Sequence, residues 1–219
     1  MSAYTDYFNA VSACSVGAQK ALMKVWNAID FSNPWLARDM LLETLPAIVE
    51  MYGAAAAEAA AEMYEAVLEA ETAIRRKVQL ADISTEGITQ SVRYAAKFMF
   101  EGDEAQAFTV LLKALDYHVK RPARETVEDN ARIDKGNGAR YARVPQGPTT
   151  CEFCVLMASR GFMQKTKKAA ESDGGYHANC DCLPVVSFED EPVVEGYDQQ
   201  HYKDLYKKMR DEKKQGKAV

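Results

Sequence analysis

The chain has no positive charge to spare. Its 27 lysines and arginines face 32 acids, for a formal charge of −5. A protein that coats nucleic acid wholesale works by displacing counterions with a basic surface, and this composition disfavours that class. Long hydrophobic runs are also missing. The run at residues 53–57 is only glycine and alanine and is soon interrupted by Glu58, so no run approaches a membrane span and no membrane partner is expected. Residues 1–10 are polar, without a basic segment leading an apolar one, so no signal peptide is expected and the cysteines should be made in a reducing compartment.

The common catalytic signatures are absent too. No G-x-x-x-x-G-K-[ST] loop is present to cradle phosphates, which excludes a packaging motor. There is no H-E-x-x-H, and Ser159 lacks a G-x-S-x-G setting. A zinc deaminase needs H-x-E ahead of P-C-x-x-C; here the C-x-x-C comes first and Thr150 precedes it. The expectation is a protein that is not an enzyme and has no small-molecule substrate.

Proline is missing from residues 47–121, and that absence points to long helices. Apolar residues recur at three- and four-residue steps through residues 4–30, with a weak stretch at 12–17 that allows a break. Asn33 can cap a second helix with Pro34 in its first turn. That helix is predicted to run to about Ala81, with Pro46 as a break or a new first turn. Its alanine-rich centre favours helix and close approach of a neighbour. From Glu43 to Glu71 it carries seven glutamates and no base: a solvated acidic face, or a docking face for a basic partner. Ile48, Tyr52, Met63 and Val67 should face the core. A third helix follows residues 84–87, and Asp103 can cap a fourth. Pro122 restarts a helix that ends at the glycines of residues 134–138. His118 and Cys14 read as structural residues in the helices, and His201 as solvated.

After residue 138 the pattern changes to turns and short apolar runs. Residues 140–144, 162–163 and 183–188 read as short strands, 155–159 as one or two helical turns, and 165–171 as a short helix. Four of the five cysteines and one of the three histidines fall here, as Cys151-x2-Cys154 and His177-x2-Cys180-x-Cys182. Thiolates and imidazole are the ligands zinc prefers in a closed tetrahedral site. Cys151, Cys154 and His177 are expected to bind it, with Cys180 or Cys182 as the fourth ligand. Ligand atoms should then lie roughly 3–4 Å apart. Five candidates for four places favour a structural ion over a catalytic one. Disulfides, a redox C-x-x-C pair and plain packing are the competing uses of these cysteines.

Residues 143–161, followed by 176–182 and the apolar run at 185–188, resemble the Mu protein F-like (MuF-like) minor head proteins of tailed phages, in the form seen in actinobacterial phages and prophages. The shared pattern is C-x2-C, a small-residue turn ending in Gly161, then H-x2-C-x-C and an apolar strand. Asp181 stands where arginine is common. The resemblance implies a virion protein inside the capsid, made in the host cytoplasm. It would act near the portal in head assembly or in genome packaging or ejection. Its partners would be the portal or major capsid protein and, in some settings, packaged DNA.

The expected fold is mainly α. A helical domain (1–136) precedes a small α+β zinc-binding module (137–190), which leads to an acidic connector and a basic C-terminal helix or tail (191–219). If DNA is touched directly, the candidates are Lys165, Lys167 and Lys168 in the module and Lys207, Lys208, Arg210, Lys213 and Lys214 in the tail. A zinc-stabilised nucleic-acid-binding protein outside any phage head is the competing function.

Overall fold

The computed structural model describes residues 2–147, 150–163, 175–177 and 180–214. Four helices come first: α1 (Ala3–Ala28), α2 (Pro34–Thr72), α3 (Glu86–Phe100) and α4 (Glu104–Ile133). A 3-10 turn (Asp134–Asn137) leads to strand β1 (Arg140–Val144), helix α5 (Glu152–Arg160), strand β2 (Leu183–Ser187) and helix α6 (Gln199–Lys214). The fold is mainly helical with one small sheet, as the sequence pattern predicts.

Local chemistry sets the helix starts. Ser2, Asn33 and Asp103 each turn a side-chain oxygen onto an amide of the first turn, which satisfies donors that have no partner within the helix. The proline breaks do not occur. Both α2 and α4 run unbroken through Pro46 and Pro122. Pro122 is buried, and it packs where an added Cβ on Gly53 would sit 3.3 Å away. Packing between α2 and α4 outweighs the lost backbone hydrogen bond. α1 likewise continues through residues 12–17.

A second difference lies after α2. The helix ends at Thr72 rather than near Ala81, and residues 73–85 form an irregular strap. Side chains from neighbouring helices supply its backbone bonds. Glu65 accepts from the Val78 amide at 3.0 Å. Asn130 accepts from the Gln79 amide at 3.1 Å and donates to its carbonyl at 2.7 Å. Thr126 accepts from Ala81 at 3.0 Å. A strap satisfied this way has no need of helix.

The seven glutamates of α2 divide by role. Glu43, Glu50, Glu58, Glu62 and Glu69 face solvent, whereas Met63 and Val67 are buried and Ile48 and Tyr52 are half-buried. Glu65 holds the strap, and Glu71 accepts from Ser187 Oγ at 2.8 Å and the Phe188 amide at 2.6 Å. By length and composition alone, α2 could cross a membrane, with mean hydropathy 1.2 over its most apolar window. The sequence reading had found no such run. The alanines responsible include Ala56, Ala57, Ala60 and Ala61, which are buried against the other helices.

Two apolar clusters fill the interior. One lies among the helices and is built from Leu22, Leu41, Leu45, Val49, Ile88, Val92, Leu111 and Leu115. The other joins helices and sheet: Tyr7, Tyr64, Leu68 and Val127 pack with Tyr141, Val144, Leu183, Val185 and Val186. β1 and β2 pair antiparallel, with Val144 opposite Leu183 and Arg140 opposite Ser187. The expected strand at residues 162–163 is a single bridge between Met163 and Tyr141. The expected helix at 165–171 lies outside the described residues. Tyr4 of α1 reaches across to donate its hydroxyl to the Val186 carbonyl at 2.9 Å.

His118 sits in this helical core, with burial holding its pKa below the usual imidazole value. Gly87 makes room for it: an added Cβ there would lie 2.3 Å from the ring. Gly87→Ala is therefore expected to destabilise the fold by about 1–3 kcal/mol through overpacking, read as a lower thermal midpoint.

Candidate metal centre

The first cysteine pair is a helix start. Cys151 is the N-cap of α5 and its sulfur accepts from the Cys154 amide at 3.3 Å. The second group is a turn, with the Cys180 amide donating to the His177 carbonyl at 2.9 Å. Cys182 then leads into β2. Pairing of β1 with β2 brings this turn against α5, since the chain leaves β1 toward Cys151 and enters β2 from Cys182. Asp181 ties the two approaches together by accepting from the Gly147 amide at 2.7 Å.

The five candidate ligands therefore fall into two triads rather than one set of four. Cys151, Cys154 and His177 form one triad and Cys154, Cys180 and Cys182 a second, with the ligand atoms of each triad within 4.8 Å of one another. Cys154 belongs to both. Cys151 Sγ lies 2.9 Å from His177 Nε2, and Cys154 Sγ lies 3.2 Å from Cys180 Sγ. These spacings are near or below the ~3.7 Å edge of a zinc–thiolate tetrahedron. Cys154, Cys180 and Cys182 are buried, Cys151 is half-buried and His177 faces solvent. The donor set is soft, compact and shielded on one side, and either triad could hold a metal ion.

The electrostatics fit the same use. Hydrogen bonds from Cys154 and Cys182, together with the Arg124 guanidinium, hold Cys180 well below the usual thiol range. The same hydrogen bonds, aided by burial, push Cys154 and Cys182 up. The three sulfurs thus share negative charge that a cation would relieve.

The sequence reading missed the residues that support the cysteines. Arg124 of α4 donates from Nε to the Cys182 carbonyl at 3.1 Å and from Nη2 to the Cys180 carbonyl at 2.6 Å. Tyr176 stacks on Arg124 and on Arg143 of β1, with the guanidinium carbons 4.2 and 4.0 Å from the ring centre. Its hydroxyl donates to Glu128 at 2.8 Å. The available signal was a pair of charged residues, Arg124 and Glu128, one turn apart beside the apolar positions Ala123 and Val127.

The other candidates lie elsewhere. Cys14 is half-buried in α1, and His118 and His201 stand on α4 and α6. Lys165, Lys167 and Lys168 are outside the described residues. Lys207, Lys208, Arg210 and Lys214 are exposed on α6, whereas Lys213 pairs with Glu152 at the start of α5.

The fold and the cluster define a mainly helical protein carrying a cysteine–histidine centre able to hold a metal. A family model described as VG15 protein matches residues 1–209, and the chain belongs to that family, which is a family of viral proteins. Neither the curated proteins nor the solved structures gave a match.

Proposed function

We propose that the protein is a minor structural protein of a tailed-phage head, MuF-like in kind. It acts inside the capsid near the portal, in assembly or in genome packaging or ejection. The family match along nearly the whole chain carries this reading, because it ties these helices and this cysteine–histidine centre to a viral protein. The ion is zinc and its role is structural. Thiolates and imidazole are its preferred ligands, five protein donors can close four positions, and a closed centre leaves no place for a reacting water. Cys151, Cys154 and His177 hold the ion, with Cys180 or Cys182 completing the set. The protein is not an enzyme.

The test is composition and association. Purified virions should contain the protein, and tagged protein should co-purify with portal rings or major capsid protein. Absence from virions together with no portal or capsid association would remove the head-protein reading. The exposed bases of α6 support one alternative, a zinc-stabilised nucleic-acid-binding protein. Under that alternative, duplex DNA affinity falls steeply with salt and the slope drops when Lys207, Lys208 and Arg210 are replaced by glutamine. Binding that is absent at low salt would exclude it.

A further inference from the structure

Among the described residues, the two buried arginines that hold the cysteine cluster face one carboxylate between them. Arg124 and Arg143 are 1 % and 3 % exposed. Among the described residues the carboxylate near them is Glu128, 8 % exposed and 3.6 Å from Arg143. Arg124 Nη1 and Arg143 Nε and Nη1 are buried with no hydrogen-bond partner among those residues. Two guanidiniums and one carboxylate leave one positive charge in a dry place, which is costly unless something neutralises it.

A metal centre supplies the missing anion, and the size of the charge selects its ligands. A divalent ion held by four thiolates carries two negative charges. One held by two thiolates and two imidazoles carries none. One held by three thiolates and a neutral imidazole carries a single negative charge, which matches the excess. The placement agrees. Arg124 grips the carbonyls of Cys180 and Cys182, so it holds the end of the second ligand turn. Tyr176, clasped by Arg124 and Arg143, immediately precedes His177 and fixes the beginning.

We propose that Arg124 and Arg143 are positioning residues that supply the counter-charge of an anionic centre built from three thiolates and His177. The proposal rests on the zinc reading above. One of the four clustered cysteines is then a neutral thiol beside the ion. The arginines bind the loaded centre to α4 and β1, so metal loading strengthens the join between module and helices. Without metal the arginines face a smaller negative charge, and the join is weaker.

That dependence on metal separates this role from simple packing. Wild type, Arg143→Met and Arg143→Lys are compared for zinc affinity, by competition with a chelator, and for thermal midpoint with and without zinc. Arg143 is the better probe because it touches no ligand's backbone among the contacts seen. Arg143→Met should bind zinc about 10–100-fold more weakly, as loss of a group supporting a metal ligand does. Arg143→Lys, which keeps the charge, should recover most of that loss. Zinc should raise the midpoint of Arg143→Met less than it raises that of wild type. Equal losses in the two variants, or equal drops in midpoint with and without zinc, overturn the proposal. Should Arg143→Met fail to fold, Arg143→Gln takes its place with the same expected order. A wild-type protein that takes up no zinc removes the zinc reading and this proposal with it. Zinc uptake with unchanged affinity in Arg143→Met removes the counter-charge alone.

Discussion

Cys154→Ser should abolish metal binding and open the region around α5 and β2 to proteases. Cys154 is the one candidate ligand common to both triads, so its removal leaves neither triad complete. Structural zinc contributes on the order of 10 kcal/mol in small domains. The helix, the ligand turn and the two short strands have too little core of their own to hold together without it. The apolar cluster among α1–α4 draws nothing from the sheet, so much of the helical circular dichroism should survive. Cys151→Ser is the informative companion, because serine remains a good N-cap and should preserve the start of α5 while still losing the ion. Metal analysis should find about one zinc per wild-type chain and none in Cys154→Ser. A Cys154→Ser protein that retains zinc, or a chelated and reduced wild type whose C-terminal module stays protected, would sink the proposal.

Asp134→Ala should cost about 3–5 kcal/mol, toward the lower figure because Arg76 is partly solvated. Asp134 is 2 % exposed at the end of α4. It accepts from the Tyr64 hydroxyl at 3.0 Å, from Asn137 at 3.0 Å and from the Arg76 guanidinium. Removing it strands a buried phenol and a cation whose side chain is 29 % exposed. Burial first, then the neighbouring carboxylate, already holds the Tyr64 pKa far above its ordinary range, so the phenol cannot ionise to adapt. Asp134→Asn keeps an acceptor and should recover part of the loss. The measurement is a denaturant midpoint at constant slope. A midpoint unchanged in Asp134→Ala would show that the strap and the end of α4 are not held through this carboxylate.

The ends of elements were the most legible features of the sequence. Asn33 with Pro34, Asp103 and the glycines after Ile133 announce helix boundaries through chemistry confined to a few residues. β1 was readable because residues 140–144 lie between a turn and Pro145. The misreadings share a cause in distant partners. Pro46 and Pro122 break isolated helices, but α2 and α4 are held by packing that no local window contains. The strap after Thr72 contains no proline or glycine to stop a helix; what decides it is Asn130 and Thr126, about fifty residues later. The centre divides the same way. Its ligands declare themselves by spacing, whereas Arg124 looks like any solvated helix arginine until the fold sets it under Cys180 and Cys182.

The hydrogen bond from Tyr4 to Val186 has a consequence for the order of events during synthesis. The first turn of the first helix cannot reach its final partner until the last strand has left the ribosome. Until then the apolar side of α1 that carries Tyr4, Tyr7 and Val11 lacks part of its cover. A nascent chain stalled after α4 should accordingly hold a stable far end and a fraying near end, and proteolysis of such stalled chains should begin around α1's opening turns. The closing step of folding would then be a late zippering of the two sequence-distant segments, timed by completion of β2.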